Sequence, residues 1–266
     1  MIPLDFVTEW RGVAPWAQDA QVEQDLILTR ALAEVFRKPE AARALAFRGG
    51  TALYKLHLAP AARYSEDIDL VQVAPGPIGA VLDALRAVLD PWLGEPRRKL
   101  GEGRVTLVYR MRSEGMGLPL RLKIEINSRE HFSVLGLEER PLVVDSRWFR
   151  ASVGITTYAL DELLGTKLLA LYQRKRGRDL FDLGFARKRG SVDPARLVRC
   201  LLGYLDAEGK RIAREDFETN LADKLADPTF ADDVRPLLAS GVEWDAAAAG
   251  DFVFRELLPL LPGRGA

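Results

Sequence analysis

The chain has 266 residues, 48% hydrophobic and 29% charged, and its 38 basic and 38 acidic side chains cancel. That size suits one lobed unit or two packed lobes with an ordinary core, and it excludes a uniformly cationic nucleic-acid coat. No run approaches the roughly 18 apolar residues of a membrane span, and one cysteine (Cys200) with two histidines (His57, His131) excludes a disulfide framework or a Cys/His zinc centre.

The 3.6-residue recurrence of Val22, Leu26, Leu28, Leu32, Val35 and Phe36 predicts a helix over 17–36, entered from a segment bounded by Trp10 and Trp16. The apolar piece Leu45-Ala46-Phe47 runs into Arg48-Gly49-Gly50-Thr51, and a short helix is expected from Thr51 through Leu56. Alternation in Asp67-Ile68-Asp69-Leu70-Val71-Gln72-Val73 predicts a strand that stops at Pro75-Gly76-Pro77. A helix is expected over 78–89. Strands follow over 104–111 and 120–127, joined by a Gly115-Met116-Gly117 hairpin connection, with short strands over 141–145 and 153–157. After Tyr158 the pattern is helical, over 160–172, 180–187, 194–205, 214–226, 234–238 and 252–260. The fold class is therefore α+β, with a small mixed sheet and helices over 1–157 and a helical lobe over 158–266. The N-terminal residues show no secretory leader, so a cytoplasmic protein is expected.

Charge is unevenly placed. Residues 1–166 hold 21 basic and 22 acidic groups, 167–190 hold 8 and 2, and 191–266 hold 9 and 14. The cationic segment 167–190 reads as a polyanion site or as a solvated helix face.

The densest chemical signal is Gly49-Gly50-Thr51 followed by Arg63-Tyr64-Ser65-Glu66-Asp67-Ile68-Asp69. Residues i and i+2 of a strand share a face, so Asp67 and Asp69 present two carboxylates side by side. Such a pair repels unless a cation intervenes, and hard divalent ions are the natural partner. In the strand over 120–127, Lys123 and Glu125 share the polar face, which makes Glu125 a third candidate acid. Three carboxylates around Mg²⁺ suit metal-assisted phosphoryl transfer. A Gly-Gly turn lets backbone N–H groups approach a triphosphate. Singly, these features read as a salt-bridged strand face, a turn and a surface acid; in this order they point to a nucleotidyltransferase site.

The run Phe47-Arg48-Gly49-Gly50-Thr51-Ala52-Leu53 with Arg63 to Leu70 resembles the opening motif of the AbiEii/AbiGii-type toxins, a branch of the polymerase-beta-like nucleotidyltransferase superfamily. Leu160-Asp161-Glu162-Leu163-Leu164-Gly165-Thr166-Lys167 resembles a second motif. Arg174-Lys175-Arg176-Gly177-Arg178-Asp179-Leu180-Phe181-Asp182-Leu183 resembles a third. The resemblance spans about residues 40–190. It implies a polymerase-beta-like core completed by the helical lobe, with Gly49, Gly50 and Thr51 holding phosphates and Asp67 and Asp69 binding Mg²⁺ or Mn²⁺. Glu125 takes the place of the superfamily's third acid. Lys167 would contact the NTP triphosphate, and Asp182, or else Asp179, would be a further essential carboxylate. Arg48, Arg63, Ser65, Arg174 and Arg178 complete the implied nucleotide-binding set. Lys167, Arg174 and Arg178 are expected on one helix face as a clamp, and Ser65 reads either as a turn serine or as a nucleotide contact.

The resemblance further implies a toxin that moves NMP from an NTP onto RNA, with the tRNA 3′ end as acceptor, and a cognate antitoxin as partner. The rival readings are the same chemistry on an aminoglycoside-like small molecule or a protein hydroxyl, and a non-catalytic RNA- or partner-binding module. His57 and His131 read as structural or surface residues, Cys200 as a buried thiol, and Phe252, Phe254, Leu257 and Leu258 as helix packing.

Overall fold

The structure is a computed structural model that describes residues 2–113, 116–190 and 192–265. Gly115, part of the expected hairpin connection, lies outside them. The residues form two compact units, one of 2–132 with 137–158 and the other of 133–136 with 159–265.

The first unit is built on a seven-stranded mixed sheet in the order β3-β4-β5-β2-β1-β7-β6. Its strands are β1 (Leu45–Arg48), β2 (Asp67–Gln72), β3 (Arg97–Gly101), β4 (Arg104–Arg112), β5 (Pro119–Asn127), β6 (Leu137–Asp145) and β7 (Arg150–Tyr158). Its helices are α1 (Leu4–Trp10), α2 (Asp19–Phe36), α3 (Pro39–Ala44), the single turn α4 (Gly49–Ala52) continued by a π turn over Leu53–His57, and α5 (Gly79–Leu93). The α+β architecture expected from the sequence is present, and α1, α3 and β3 are additions to it.

The alternation of β2 and β5 decides how this sheet is used. Ile68 and Leu70 with Leu122, Ile124 and Ile126 are buried, as are Leu26, Leu28 and Leu32 of α2 and Leu82, Leu85 and Leu89 of α5. Burying each such side chain stabilises the fold by about 1.5–3 kcal/mol, and this assigns the even-numbered residues of the two strands to the core. The odd-numbered residues Asp67, Asp69, Lys123 and Glu125 are left on the other face. A buried polar knot supports α1 and α2. Asp25 accepts hydrogen bonds from the indoles of Trp10 (2.9 Å) and Trp16 (3.4 Å) and pairs with Lys55 at 2.6 Å.

The second unit is helical: α6 (Leu160–Gln173), α7 (Gly177–Lys188), α8 (Pro194–Ala207), α9 (Arg214–Leu225), α10 (Pro228–Asp232) and α11 (Ala246–Phe252). The expected helix over 234–238 is only a 3-10 turn, Arg235–Leu237. The expected helix over 252–260 is the end of α11 followed by a π turn and a 3-10 turn. Pro236 and Pro259 lack the N–H that would continue an α-helix. Gly165 lets α6 and α8 approach closely, since a Cβ there would lie 2.7 Å from Cβ of Cys200. Cys200 is a buried thiol, pushed up to about 12 by burial and then by Glu162 and Asp161. The buried carboxylate of Glu162 accepts from the Ser133 hydroxyl (2.8 Å), the backbone N–H of Val134 (2.8 Å) and Leu135 (2.9 Å), and the Tyr204 hydroxyl (3.1 Å). That full satisfaction is what a carboxylate inside a protein requires, and it ties residues 133–136 to this unit.

Candidate active site

The parallel register of β2 and β5 sets Asp67 opposite Lys123 and Asp69 opposite Glu125, while antiparallel β1 sets Arg48 opposite Asp69. Three acids and two cations from three strands therefore share one patch of sheet. Lys123 Nζ lies 3.3 Å from both Asp67 Oδ2 and Glu125 Oε2, and Arg104 reaches Glu125 at 3.3 Å. Arg48 is engaged by Glu130, whose other oxygen accepts from Asn127 at 2.7 Å.

Asp69 is the least neutralised acid of the group. Burial pushes its carboxyl above the usual range, and the charges of Asp67 and Glu125 push the same way against Arg48 and Lys123. The Oδ1 atom of Asp67 is buried and has no hydrogen-bond partner. An orphaned carboxylate oxygen beside a second carboxylate held above its ordinary range fits a hard divalent cation, which takes oxygen ligands. Glu125 differs, because its carboxylate already faces two cations. No three His, Cys, Asp or Glu side chains among the described residues are gathered as a ready-made metal site. Asp67 and Asp69 fit an ion such as Mg²⁺ or Mn²⁺, and Glu125, the third acid named for it, stands directly opposite Asp69 in the register.

The glycine turn lies against this pair. Gly49 has φ +83°, a conformation that costs L residues, and a Cβ on it would lie 2.3 Å from Asp69 Oδ2. A Cβ on Gly50 would lie 2.6 Å from Arg63 Nη2 and 3.3 Å from Ser65 Oγ. Arg63 is buried and donates to its neighbour's carbonyl, Tyr64 O, at 3.1 Å. Thr51 Oγ1 donates to the Asp67 carbonyl (2.6 Å) and accepts from the Ser65 hydroxyl (2.8 Å). The buried Thr51 side chain therefore ties the turn to the first residue of β2. Ser65 precedes that strand, which starts at Asp67, so it belongs to the turn layer and not to the strand face.

In the helical unit, Lys167 Nζ lies 2.9 Å from Asp182 Oδ2 and 3.2 Å from Asp179 Oδ1. Arg174 grips Asp179 with two hydrogen bonds, of 2.7 and 2.9 Å. Burial pushes the Asp179 carboxyl up, but Lys167 and Arg174 outweigh it and hold it below the usual range. The single basic face expected from Lys167, Arg174 and Arg178 does not form. Helix α6 ends at Gln173, Arg174 is extended (φ −137°, ψ 157°), and Arg178 lies in α7. Lys167 is buried with both carboxylates, because two buried anions on the first turns of α7 need a cation.

A family model for the nucleotidyl transferase AbiEii toxin of type IV toxin–antitoxin systems matches residues 30–250. The chain belongs to the AbiEii family. It is a nucleotidyltransferase toxin, and that class of system implies NTP use and an antitoxin partner. Among solved structures, this AbiEii chain is similar to the nucleotidyltransferase toxin MenT4 of Mycobacterium tuberculosis H37Rv, at 19% identity and TM-score 0.70, covering 98% of this chain and 90% of that one. It is also similar to a putative nucleotidyltransferase from H. pylori, at 17% identity and TM-score 0.59, covering 91% of this chain and 98% of that one. JHP933 from Helicobacter pylori matches at 17% identity and TM-score 0.58, with 92% of this chain and 95% of that one covered. At these identities the likeness establishes the shared fold. No match is found among curated protein sequences.

Lys123 and Arg104 had no assigned role in the sequence, although Lys123 shares a strand face with Glu125 by simple alternation. Their place beside the acids follows from strand pairing across 56 residues for Lys123 and Asp67, which no local pattern encodes.

Proposed function

We propose that this AbiEii toxin transfers a nucleoside monophosphate, in the presence of Mg²⁺ or Mn²⁺, from an NTP to an RNA acceptor, the tRNA 3′ end. The observation that carries the reading is the Asp67–Asp69 pair, with its orphaned oxygen and elevated carboxyl, set against the Gly49-Gly50 turn. Family membership and the motif resemblance support the RNA acceptor. A bound divalent ion would neutralise charge on the phosphates and polarise them toward attack.

The chain's residues supply the rest. Asp67 and Asp69 would hold the ion, and the Cβ-free turn leaves backbone N–H groups open to phosphate oxygens. The acceptor hydroxyl oxygen bonds to the α-phosphorus as the α–β phosphoanhydride bond breaks. Pyrophosphate leaves, and the hydroxyl proton passes to a carboxylate of the cluster. Lys123, 3.3 Å from both Asp67 and Glu125, orients the two carboxylates. In the helical unit, Lys167 is proposed as the triphosphate-contacting cation, with Asp182 and Asp179 fixing its ammonium.

The test is incubation of the purified chain with each α-labelled NTP and Mg²⁺, in the presence of total tRNA, 3′-trimmed tRNA, protein extract or an aminoglycoside. Label should appear on intact tRNA and be released by removal of the 3′-terminal nucleotide. Label on protein or on the antibiotic alone would overturn the RNA reading.

A further inference from the structure

The sheet that carries the acids also carries an exposed cationic surface. Cross-strand partners share a face, and the registers of β3, β4, β5 and β2 run as continuous rows. Arg97, Val108, Lys123 and Asp67 form one row, and Lys99, Thr106, Glu125 and Asp69 form the next. Beside them, Arg110 stands directly opposite Arg121, and Arg112 opposite Pro119. Strands about 4.8 Å apart place the backbones of Arg97 and Lys99 roughly 14 Å from those of Asp67 and Asp69.

The cations nearest the acids are already engaged, Lys123 and Arg104 as described and Arg121 with Glu66 at 3.2 Å. Arg97, Lys99, Arg110 and Arg112 are exposed and make no ion pair with a described residue. The neutral balance of the first 166 residues conceals this surface, because residues 97–123 hold 8 basic and 2 acidic groups. In the equally cationic segment 167–190 the positions differ, since Lys167, Arg174, Lys175 and Arg187 are engaged by Asp182, Asp179, Asp227 and Glu256 respectively.

Like charges directly opposite on a sheet destabilise it; of the Arg110–Arg121 pair, Arg121 is offset by Glu66 at 3.2 Å, and Arg110 is the cation left exposed. Among the described residues of these rows only Val108 and Pro119 are apolar, whereas the core of a protein–protein interface is depleted in charge. Its exposed cations are mostly arginines, whose planar forks match phosphate oxygens two at a time.

We propose that the open face of β3, β4 and β5 is the track on which the phosphodiester backbone of the RNA acceptor lies, ending at Asp67 and Asp69. This rests on the reading of the acceptor as RNA. Arg97, Lys99 and Arg110 grip phosphates without reading bases, so affinity is independent of sequence and falls with salt.

The experiment measures equilibrium binding of the full chain to fluorescent tRNA from low to moderate salt, for the wild type and for the Arg97→Ala/Lys99→Ala/Arg110→Ala variant. Each lost phosphate contact removes about 0.7 from the slope of log K against log salt on a single strand. The variant should therefore show a slope shallower by about 2 and at least about tenfold weaker binding at low salt. Its thermal midpoint and its affinity for NTP with Mg²⁺ should be those of the wild type. An Arg196→Ala/Arg235→Ala/Arg255→Ala control, which removes equal charge from the helical unit, should bind tRNA normally. An equal loss in that control would overturn the track, as would unchanged binding by the first variant. Poly-glutamate bound as tightly as RNA would assign the face to an acidic protein instead. A wild type that binds no RNA would overturn the acceptor reading itself, which separates the two failures.

Discussion

Oδ2 of Asp69 occupies the space in which a side chain on Gly49 would begin, 2.3 Å from where its Cβ would lie. The glycine at the left-handed position of the turn and the half-buried acid Asp69 of β2 are therefore one structural feature. Each excludes alternatives at the other. Gly49→Ala should lower stability by about 1–2 kcal/mol from backbone strain alone and abolish transfer by displacing the Asp69 carboxylate. Urea unfolding and labelled-NTP incorporation check this, and full activity in the variant would refute the proposed place of Asp69 in the chemistry.

The carboxylate pair makes a prediction that does not depend on activity. Asp69 has a folded pKa above its unfolded value, chiefly through burial and then through Asp67 and Glu125. The stability it contributes is present below the unfolded pKa and is lost as pH rises through the folded one. At neutral pH the metal-free wild type should therefore unfold at a lower temperature than Asp69→Asn. Added Mg²⁺ should raise the wild-type midpoint but not that of Asp67→Asn or Asp69→Asn. Transfer should fall by about 10²–10³-fold or more in both variants, as for loss of a central electrostatic element. An undiminished Mg²⁺ shift in both would remove the metal assignment.

Lys167 should behave differently from these acids under mutation. Removing its ammonium leaves Asp179 and Asp182 buried with a cation missing, a loss of about 3–5 kcal/mol for a broken buried ion pair. Lys167→Met should thus unfold at clearly lower urea, whereas Asp67→Asn should not. Transfer by Lys167→Met has to be measured at a temperature where circular dichroism shows it folded. Wild-type stability in this variant would mean that the ion pairs of α6 and α7 contribute nothing.

His57 supplies a pH test in the sheet unit. Burial, followed by the charge of Arg140, lowers its pKa to about 4, against partial opposition from Glu138. Above the unfolded value near 6.5 both states are neutral and the residue contributes nothing to the pH dependence. As pH falls below that, the unfolded chain takes up a proton that the folded ring refuses, so stability declines until about pH 4. The decline should be on the order of 2 kcal/mol, below the full shift because the ring is partly exposed. Comparing urea midpoints of wild type and His57→Phe at pH 7.5 and 4.5 should show a smaller pH effect in the variant.

Local sequence determined a good deal about this AbiEii toxin. Alternation in Asp67–Leu70 and Leu122–Asn127 set which of those side chains leave the core, because strand period two puts alternate residues on opposite faces; Val71, next along β2, is buried as well. The Gly-Gly turn and Asp-x-Asp were legible for the same reason, since each is a backbone or pleat rule acting within a few residues. Registers are different. Arg97 and Lys99 come into line through the adjacent strands β3, β4 and β5, but the row reaches Asp67 only through the β2–β5 pairing, which joins Lys123 to a residue 56 positions earlier. That pairing is decided by packing of the whole sheet.

The basic residues show the same division. A charge count marks residues 167–190 as cationic but carries no information on partners. Only the tertiary structure reveals that Lys167 is buried between two acids while Arg97, Lys99 and Arg110 remain open to solvent. Composition reports how many charges a segment holds, but their availability to a ligand depends on desolvation and on opposite charges brought from elsewhere in the chain. Strand pairing and helix packing determine both.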